Sequence, residues 1–378
     1  MLFRSLFAAT NVLRERIAQA RNLENFELSQ SYLAFWDKFE RCNYFLESIL
    51  ETAALPTTDR TVMHILSTGV HDGGQWDMFA NIVRKYGVVP KDVYDETYQS
   101  SNTRSMNAQL NRALKVAAAD LRRMAADKAD ADAIQAEKNK TLDAIYGFLC
   151  SCYGEPPKAF DFEFVDKDQV YHIEKNLTPL TFAERYVGDL LDQVVSVINA
   201  PTADKPYHKT YTIRLLGNVV EGRPVVHLNL TMDELKAAII AQLKAGKVVW
   251  FGSDVGHFGE RTQGVWDDRS FDFAALTGLS LAMDKADALD YGLAAMNHAM
   301  VLTGVNLDEA GKPTRWKIEN SWGDKNGEKG YYVCSDSWFD QYVFQAAVER
   351  EYLGGLADLA AQEPIVLEPW DPMGTLAD

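Results

Sequence analysis

Apolar residues recur at helical spacing from near the first residue: Leu6, Val12, Leu13 and Ile17 alternate with Arg14, Glu15 and Gln19, predicting a helix over 6–20. A second helix, over 29–52, carries aromatics on several faces (Tyr32, Phe35, Trp36, Phe39, Tyr44, Phe45) and is expected inside a core. The stretch 57–86 predicts a helix pair broken at Asp72-Gly73-Gly74 and stopped by Gly87 and Pro90. From 101 to 151 the chain is rich in Ala, Arg, Lys, Asp and Leu and nearly free of aromatics, the pattern of a solvent-facing helical pair, with the acidic stretch 127–132 as a solvated face.

Beyond Pro157 the period shortens. Phe160-Asp161-Phe162-Glu163-Phe164 alternates aromatic with acidic, as a strand with one buried face does, and a short helix follows over 181–186. After Pro201 strands dominate, over 211–213, 225–228, 248–251, 300–303, 316–319 and 331–333. One helix intervenes over 232–245, with Thr231 as its N-cap and Gly246 at its end. A helical front half and a β-rich back half predict an α+β fold with a cleft between the layers. The tail from Glu363 contains Pro364, Pro369 and Pro372, which predict an extended arm rather than a helix.

Composition narrows the function. A net charge of −16 over 378 residues argues against a phosphate-binding surface, so no nucleic-acid partner is expected. No apolar run approaches the roughly 18 residues of a membrane span, and no membrane association is expected. Cys42, Cys150, Cys152 and Cys334 are scattered rather than spaced as a disulfide framework, which fits a reducing compartment and a cytoplasmic location. Cys42 lies within the aromatic helix and reads as packing; Cys150-Ser151-Cys152 lacks a second ligand pair, and neither a metal nor a cofactor is expected. Gly323, Gly327 and Gly330 sit between strands and read as a turn, not a phosphate loop.

Two segments of the β-rich half carry candidate chemistry: His298, which opens the apolar run Ala299-Met300-Val301-Leu302, and Glu319-Asn320-Ser321-Trp322-Gly323. A cysteine peptidase needs an imidazole to take the thiol proton, a neutral amide to hold the ring by its other nitrogen, and shelter for that hydrogen bond. His298 and Asn320 are the catalytic candidates, on adjacent strands of a hairpin, with Trp322 covering them.

These residues resemble the histidine and asparagine motifs of papain-like peptidases. More selectively, Leu28-Ser29-Gln30-Ser31-Tyr32-Leu33 through Glu40-Arg41-Cys42, Asp72-Gly73-Gly74-Gln75-Trp76-Asp77-Met78, Trp250-Phe251-Gly252 with Asp254-Val255-Gly256, and Pro369-Trp370-Asp371-Pro372-Met373-Gly374 are similar to the bleomycin hydrolase and aminopeptidase C branch. The resemblance implies a two-lobed papain-like fold with a helical insertion. It divides the chain into a helical-lobe remnant with the central helix (1–56), a helical insertion and hook-like region (57–200), a β-rich lobe carrying the histidine and asparagine (201–350) and a C-terminal arm (351–378). It further implies release of N-terminal residues from peptide substrates, a homohexamer, and an arm whose terminal carboxylate, here at Asp378, receives the substrate's α-ammonium.

The resemblance also places the family's nucleophilic cysteine at position 4, where this chain has Arg4, and a tryptophan at position 5, where it has Ser5. The nucleophile is therefore expected to be missing, with Ser5 an N-cap for the first helix and the chain as written inert. A start placed too late or a broken reading frame is the favoured explanation of this head; a pseudoenzyme subunit and a poorly folded remnant are the others.

Overall fold

A computed structural model describes residues 4–377, with side chains described from Phe7 onward. Asp378 and the side chains of Arg4 and Ser5, on which three of the expectations above fall, lie outside the described residues. The helical half consists of α1 (Arg4–Ala20), α2 (Gln30–Glu51), α3 (Arg60–Thr68), α4 (Trp76–Tyr86) and the long pair α5 (Arg104–Ala126) and α6 (Ala131–Tyr153). Helix α1 is already under way at Arg4, so Ser5 belongs to its first turn and is not the N-cap expected of it. Ser29 does cap α2, its hydroxyl accepting the Tyr32 N–H at 3.1 Å, and Gly87 closes α4 at φ 75°. The α5–α6 pair packs on α2 as the insertion.

A hairpin of β1 (Phe160–Val165) and β2 (Tyr171–Leu177) stands apart from the main sheet. The main sheet contains β3 (Val194–Ile198), β4 (Thr210–Ile213), β5 (Val226–Asn229), β6 (Val249–Ser253), β7 (Gly259–Glu260), β8 (Val265–Trp266), β9 (His298–Leu307), β10 (Pro313–Glu319), β11 (Tyr331–Ser335), β12 (Val343–Glu349) and β13 (Ile365–Leu367). Its spatial order is β13-β4-β5-β3-β12-β6-β9-β10-β11-β8-β7. The hydrophobic pattern did not assign β3 and β12. Both are buried nearly throughout, so they lack the alternation that marks a one-sided strand.

The sheet separates two cores. Trp250, Ala299 and Val301 face the helices, with Leu13 and Ile17 of α1 in the same cluster. Phe251, Met300, Leu302, Trp316 and Tyr332 face the other way and are covered by the helix Met232–Lys244. Successive residues of β6 and β9 thus feed opposite cores, the period of two expected of a strand. The tail departs from the extended arm expected of it. It runs as β13, parallel to β4, and then closes as a 3-10 helix, Pro372–Ala377, because burying Met373 and Leu376 needs a turn that an extended segment cannot make.

Across β5, β3 and β12 lies a buried polar chain. Gln345 Nε2 donates to Ser196 Oγ, and that hydroxyl is hydrogen-bonded to His227 Nδ1, both at 2.8 Å. Desolvation depresses the His227 imidazole from 6.5 to about 4. The folded protein therefore holds this ring neutral where an unfolded chain protonates it. Its contribution is complete above pH 6.5 and is lost as pH falls toward 4, to a total of about 3 kcal/mol. Urea unfolding of wild type and His227→Gln at a series of pH values is expected to show a flatter decline in the variant across this window; parallel declines would remove His227 as the cause.

Candidate active site

Strands β9 and β10 are antiparallel neighbours, and a register shift between them fixes what meets what. Lys317 pairs with Gly304 and Ile318 with Leu302, leaving Thr303 as an extra residue on β9. Continued one step past the Glu319–Val301 pair, this register sets Asn320 opposite Met300, two residues from His298 and on the same face. Without the extra residue Asn320 would fall opposite Val301 and turn to the other face.

His298 is buried, and its Nε2 lies 2.8 Å from Asn320 Oδ1. The same Oδ1 accepts the Ser321 N–H at 2.8 Å, which fixes the amide oxygen as the atom facing the ring. His298 Nε2 must then donate, and in the neutral ring Nδ1 is the basic nitrogen. Trp322 stacks on the imidazole, with ring centroids 5.0 Å apart and planes at 21°. Trp266 and Tyr332 meet Trp322 edge-on, and the Arg261 guanidinium lies 4.7 Å from its ring. This aromatic box keeps water from the His298–Asn320 bond, where a lower local dielectric strengthens it. Gly323, Gly327 and Gly330 all have positive φ in the loop that returns the chain to β11. At Gly327 a Cβ would stand 2.3 Å from the Tyr331 carbonyl oxygen, so only glycine fits.

Two supporting contacts were not read from the sequence. Arg14 of α1 donates to both carboxylate oxygens of Glu319 at 3.0 Å, tying the central helix to the residue before Asn320. Asp254 accepts from Asn297 Nδ2 at 2.7 Å and from the Ala295 N–H at 3.1 Å, bracing the approach to His298. Burial alone would raise the Asp254 carboxyl, but His257 and the Gly256 and Ala295 amides hold it below its ordinary range. Aspartate at 254 and asparagine at 297 were legible as polar residues in apolar surroundings; their pairing, 43 residues apart, was not.

The tail is held between the helical half and the sheet. The Gly74 N–H donates to the Leu376 carbonyl at 2.9 Å and Gln75 Nε2 to that of Met373 at 3.1 Å. Leu376 packs on Gly252, where a Cβ would lie 3.2 Å from its Cδ2. Helix α2 anchors the receiving loop: Lys38 donates to Asp72 at 2.7 Å and Arg41 to the Gly73 carbonyl, while Thr103 and Asn107 also donate to Asp72. Burial opposes the charge on Asp72, yet Lys38 and these donors hold its carboxyl below the usual carboxylate range.

The cysteines lie elsewhere in the fold. Cys42 is enclosed in α2, and desolvation pushes its thiol up to about 12. Cys334 is enclosed in β11 with its thiol raised well above the ordinary value by burial. Cys150 and Cys152 belong to α6.

Known proteins are similar to this chain over nearly its whole length. The Peptidase C1-like family matches residues 5–374. Aminopeptidase C of Streptococcus thermophilus is 51% identical over 374 residues, which cover 98% of this chain and 84% of that protein. Bleomycin hydrolase of Homo sapiens is 40% identical over 382 residues, covering 99% and 84%. The crystal structure of PepW from Lactobacillus rhamnosis HN001 superposes with a TM-score of 0.96 at 50% identity, covering 98% of this chain and 84% of that one. The fold is accordingly α+β and papain-like.

The Arg14–Glu319 contact makes a prediction of its own. Arg14→Met and Glu319→Gln are each expected to cost about 1–3 kcal/mol in urea unfolding, as losses of a partly buried, charge-assisted hydrogen bond do. The double variant is expected to cost less than the sum. Strict additivity would show that the two residues do not support each other.

Proposed function

Because this chain belongs to the Peptidase C1-like family, we propose that its His298–Asn320–Trp322 cluster is the base half of a cysteine aminopeptidase acting on the N-terminal residues of peptides. The observation that carries this reading is the 2.8 Å His298 Nε2–Asn320 Oδ1 contact beneath Trp322. Asn320 holds the ring in the tautomer whose Nδ1 takes a proton from a thiol and later returns it to the departing amine. Trp322 shields the bond that fixes that tautomer. The tail, hydrogen-bonded to Gly74 and packed on Gly252, blocks one end of the cleft and so favours removal of end residues over internal cleavage.

Residues 1–378 hold this base half without a suitable sulfur. Enclosure keeps Cys42 and Cys334 as neutral thiols, Cys150 and Cys152 sit on the insertion, and the position that resembles the nucleophile's is Arg4. The chain as given is therefore read as inactive. A non-catalytic structural subunit is the alternative, favoured by the intact packing of α1, whose Leu13 and Ile17 are fully buried. Either form is proposed to work in the cytoplasm as a homohexamer; the unpaired cysteines support a reducing compartment, and the resemblance supports the assembly.

The purified chain, given an aminoacyl fluorogenic amide, is expected to release fluorophore at the background rate, since loss of the nucleophile costs on the order of a millionfold. Release sensitive to a thiol alkylator would show that one of the four cysteines serves and that the assignment of position 4 is wrong. A chain carrying Arg4→Cys and Ser5→Trp, extended upstream with a glutamine-bearing segment, is expected to gain alkylator-sensitive release that His298→Ala abolishes.

A further inference from the structure

The segment 254–297, which joins β6 to β9, walls a cavity of about 500 Å³, inside the roughly 300–1,000 Å³ span of small-ligand pockets. Phe258, Phe271, Leu281, Met283, Leu293 and Tyr342 line it. Leu281 and Leu293 are each 51% exposed and Met283 41%, so apolar surface faces solvent at its mouth. The wall is well anchored. Lys285, buried, donates to Asn199 Oδ1 and to the Asp340 and Val343 carbonyls. His257 stacks on Tyr342 with centroids 5.1 Å apart and is paired to Asp254 at 3.4 Å. Trp338 Nε1 donates to the His257 carbonyl at 2.9 Å.

The course of β6 relates this cavity to the active site. Gly252 lies beneath Leu376 of the tail, Ser253 pairs with His298 across the ladder, and Gly256 forms the cavity's rim. An extended chain advances about 3.3 Å per residue, so Gly256 lies no more than about 10 Å past Ser253. The residue paired with His298 and the rim of the cavity are thus three residues apart on the chain. A peptide whose first peptide bond lies at His298 has its second and third residues, at about 3.3 Å per residue, within reach of that rim.

We propose that this cavity seats an apolar or aromatic side chain at the second or third residue of the peptide, on the leaving side of the bond cut. The inference rests on the aminopeptidase reading of the His298 cleft and adds the substrate class that the cleft prefers. Loss of water from a phenylalanine ring and from the exposed leucines supplies the selectivity, and the lining offers no unpaired charge to reward a polar side chain.

The absence of turnover in this chain makes binding directly measurable, because bound peptide stays intact. The tripeptide amides Ala-Phe-Gly, Ala-Gly-Phe and Ala-Gly-Gly, titrated into the full chain and followed by NMR, are expected to show one phenylalanine peptide binding about tenfold or more tighter than Ala-Gly-Gly. Leu281→Asp and Leu293→Asp, at half-exposed positions where folding tolerates a charge, are expected to erase that difference and leave Ala-Gly-Gly binding unchanged; circular dichroism verifies their fold. Equal affinities for the three peptides, or a preference that survives both substitutions, would overturn the proposal alone. Binding of no peptide at all would overturn the aminopeptidase reading and the proposal with it. A change of oligomeric state in the variants, with peptide affinities equal throughout, would make the cavity an interface between copies and defeat the proposal.

Discussion

The extra residue that leaves Thr303 unopposed on β9 sets the parity of everything beyond it on the hairpin. A strand has two faces, and a slip of one residue exchanges them. His298 and Asn320 share a face because of this irregularity, and Trp322 can then lie over the ring they hold between them. The register cannot drift, because β9 is packed between two cores: Ala299 and Val301 are locked against the helices, Met300 and Leu302 against the aromatic cluster opposite. Hydrophobic burial on both faces thus supplies the rigidity that a hydrogen bond between two side chains could not provide for itself.

Charged residues are buried or half-buried where distant segments must be joined. Lys38 and Arg41 on α2 hold the loop that receives the tail, and Arg14 on α1 holds Glu319. Each is paired with a carboxylate or a carbonyl, as burial of a charge requires. The pairs place parts of the chain that are far apart in sequence: Gly74 meets Leu376, and Arg14 meets Glu319. These contacts fix the tail against the loop of Gly74 and against Gly252 of β6.

The helices were legible because their apolar spacing and caps are local signals. Ser29, Gly87 and Thr231 mark ends within a residue or two of those observed. Strand β1, aromatic on one face and acidic on the other, was legible for the same reason. Strands β3 and β12 were not, since burial on both faces erases alternation, and neither was the tail's final 3-10 turn, which packing against Gly252 and Gly74 dictates over the prolines' preference for extension. In the candidate site, the residue types His298, Asn320 and Trp322 and their order were readable. The aromatic box, the Arg14–Glu319 tie and the Asp254–Asn297 brace were not.

By itself the amino-acid sequence determined the helical and β-rich halves, the kinship of its motifs and the side chains able to orient a base, because these depend on residue type and short-range period. Tertiary structure alone decided which faces those side chains share, which charges meet and where the tail comes to rest. The physical reason is that register, bulges and long-range ion pairs are settled by the simultaneous packing of segments hundreds of residues apart, and no local pattern carries that information.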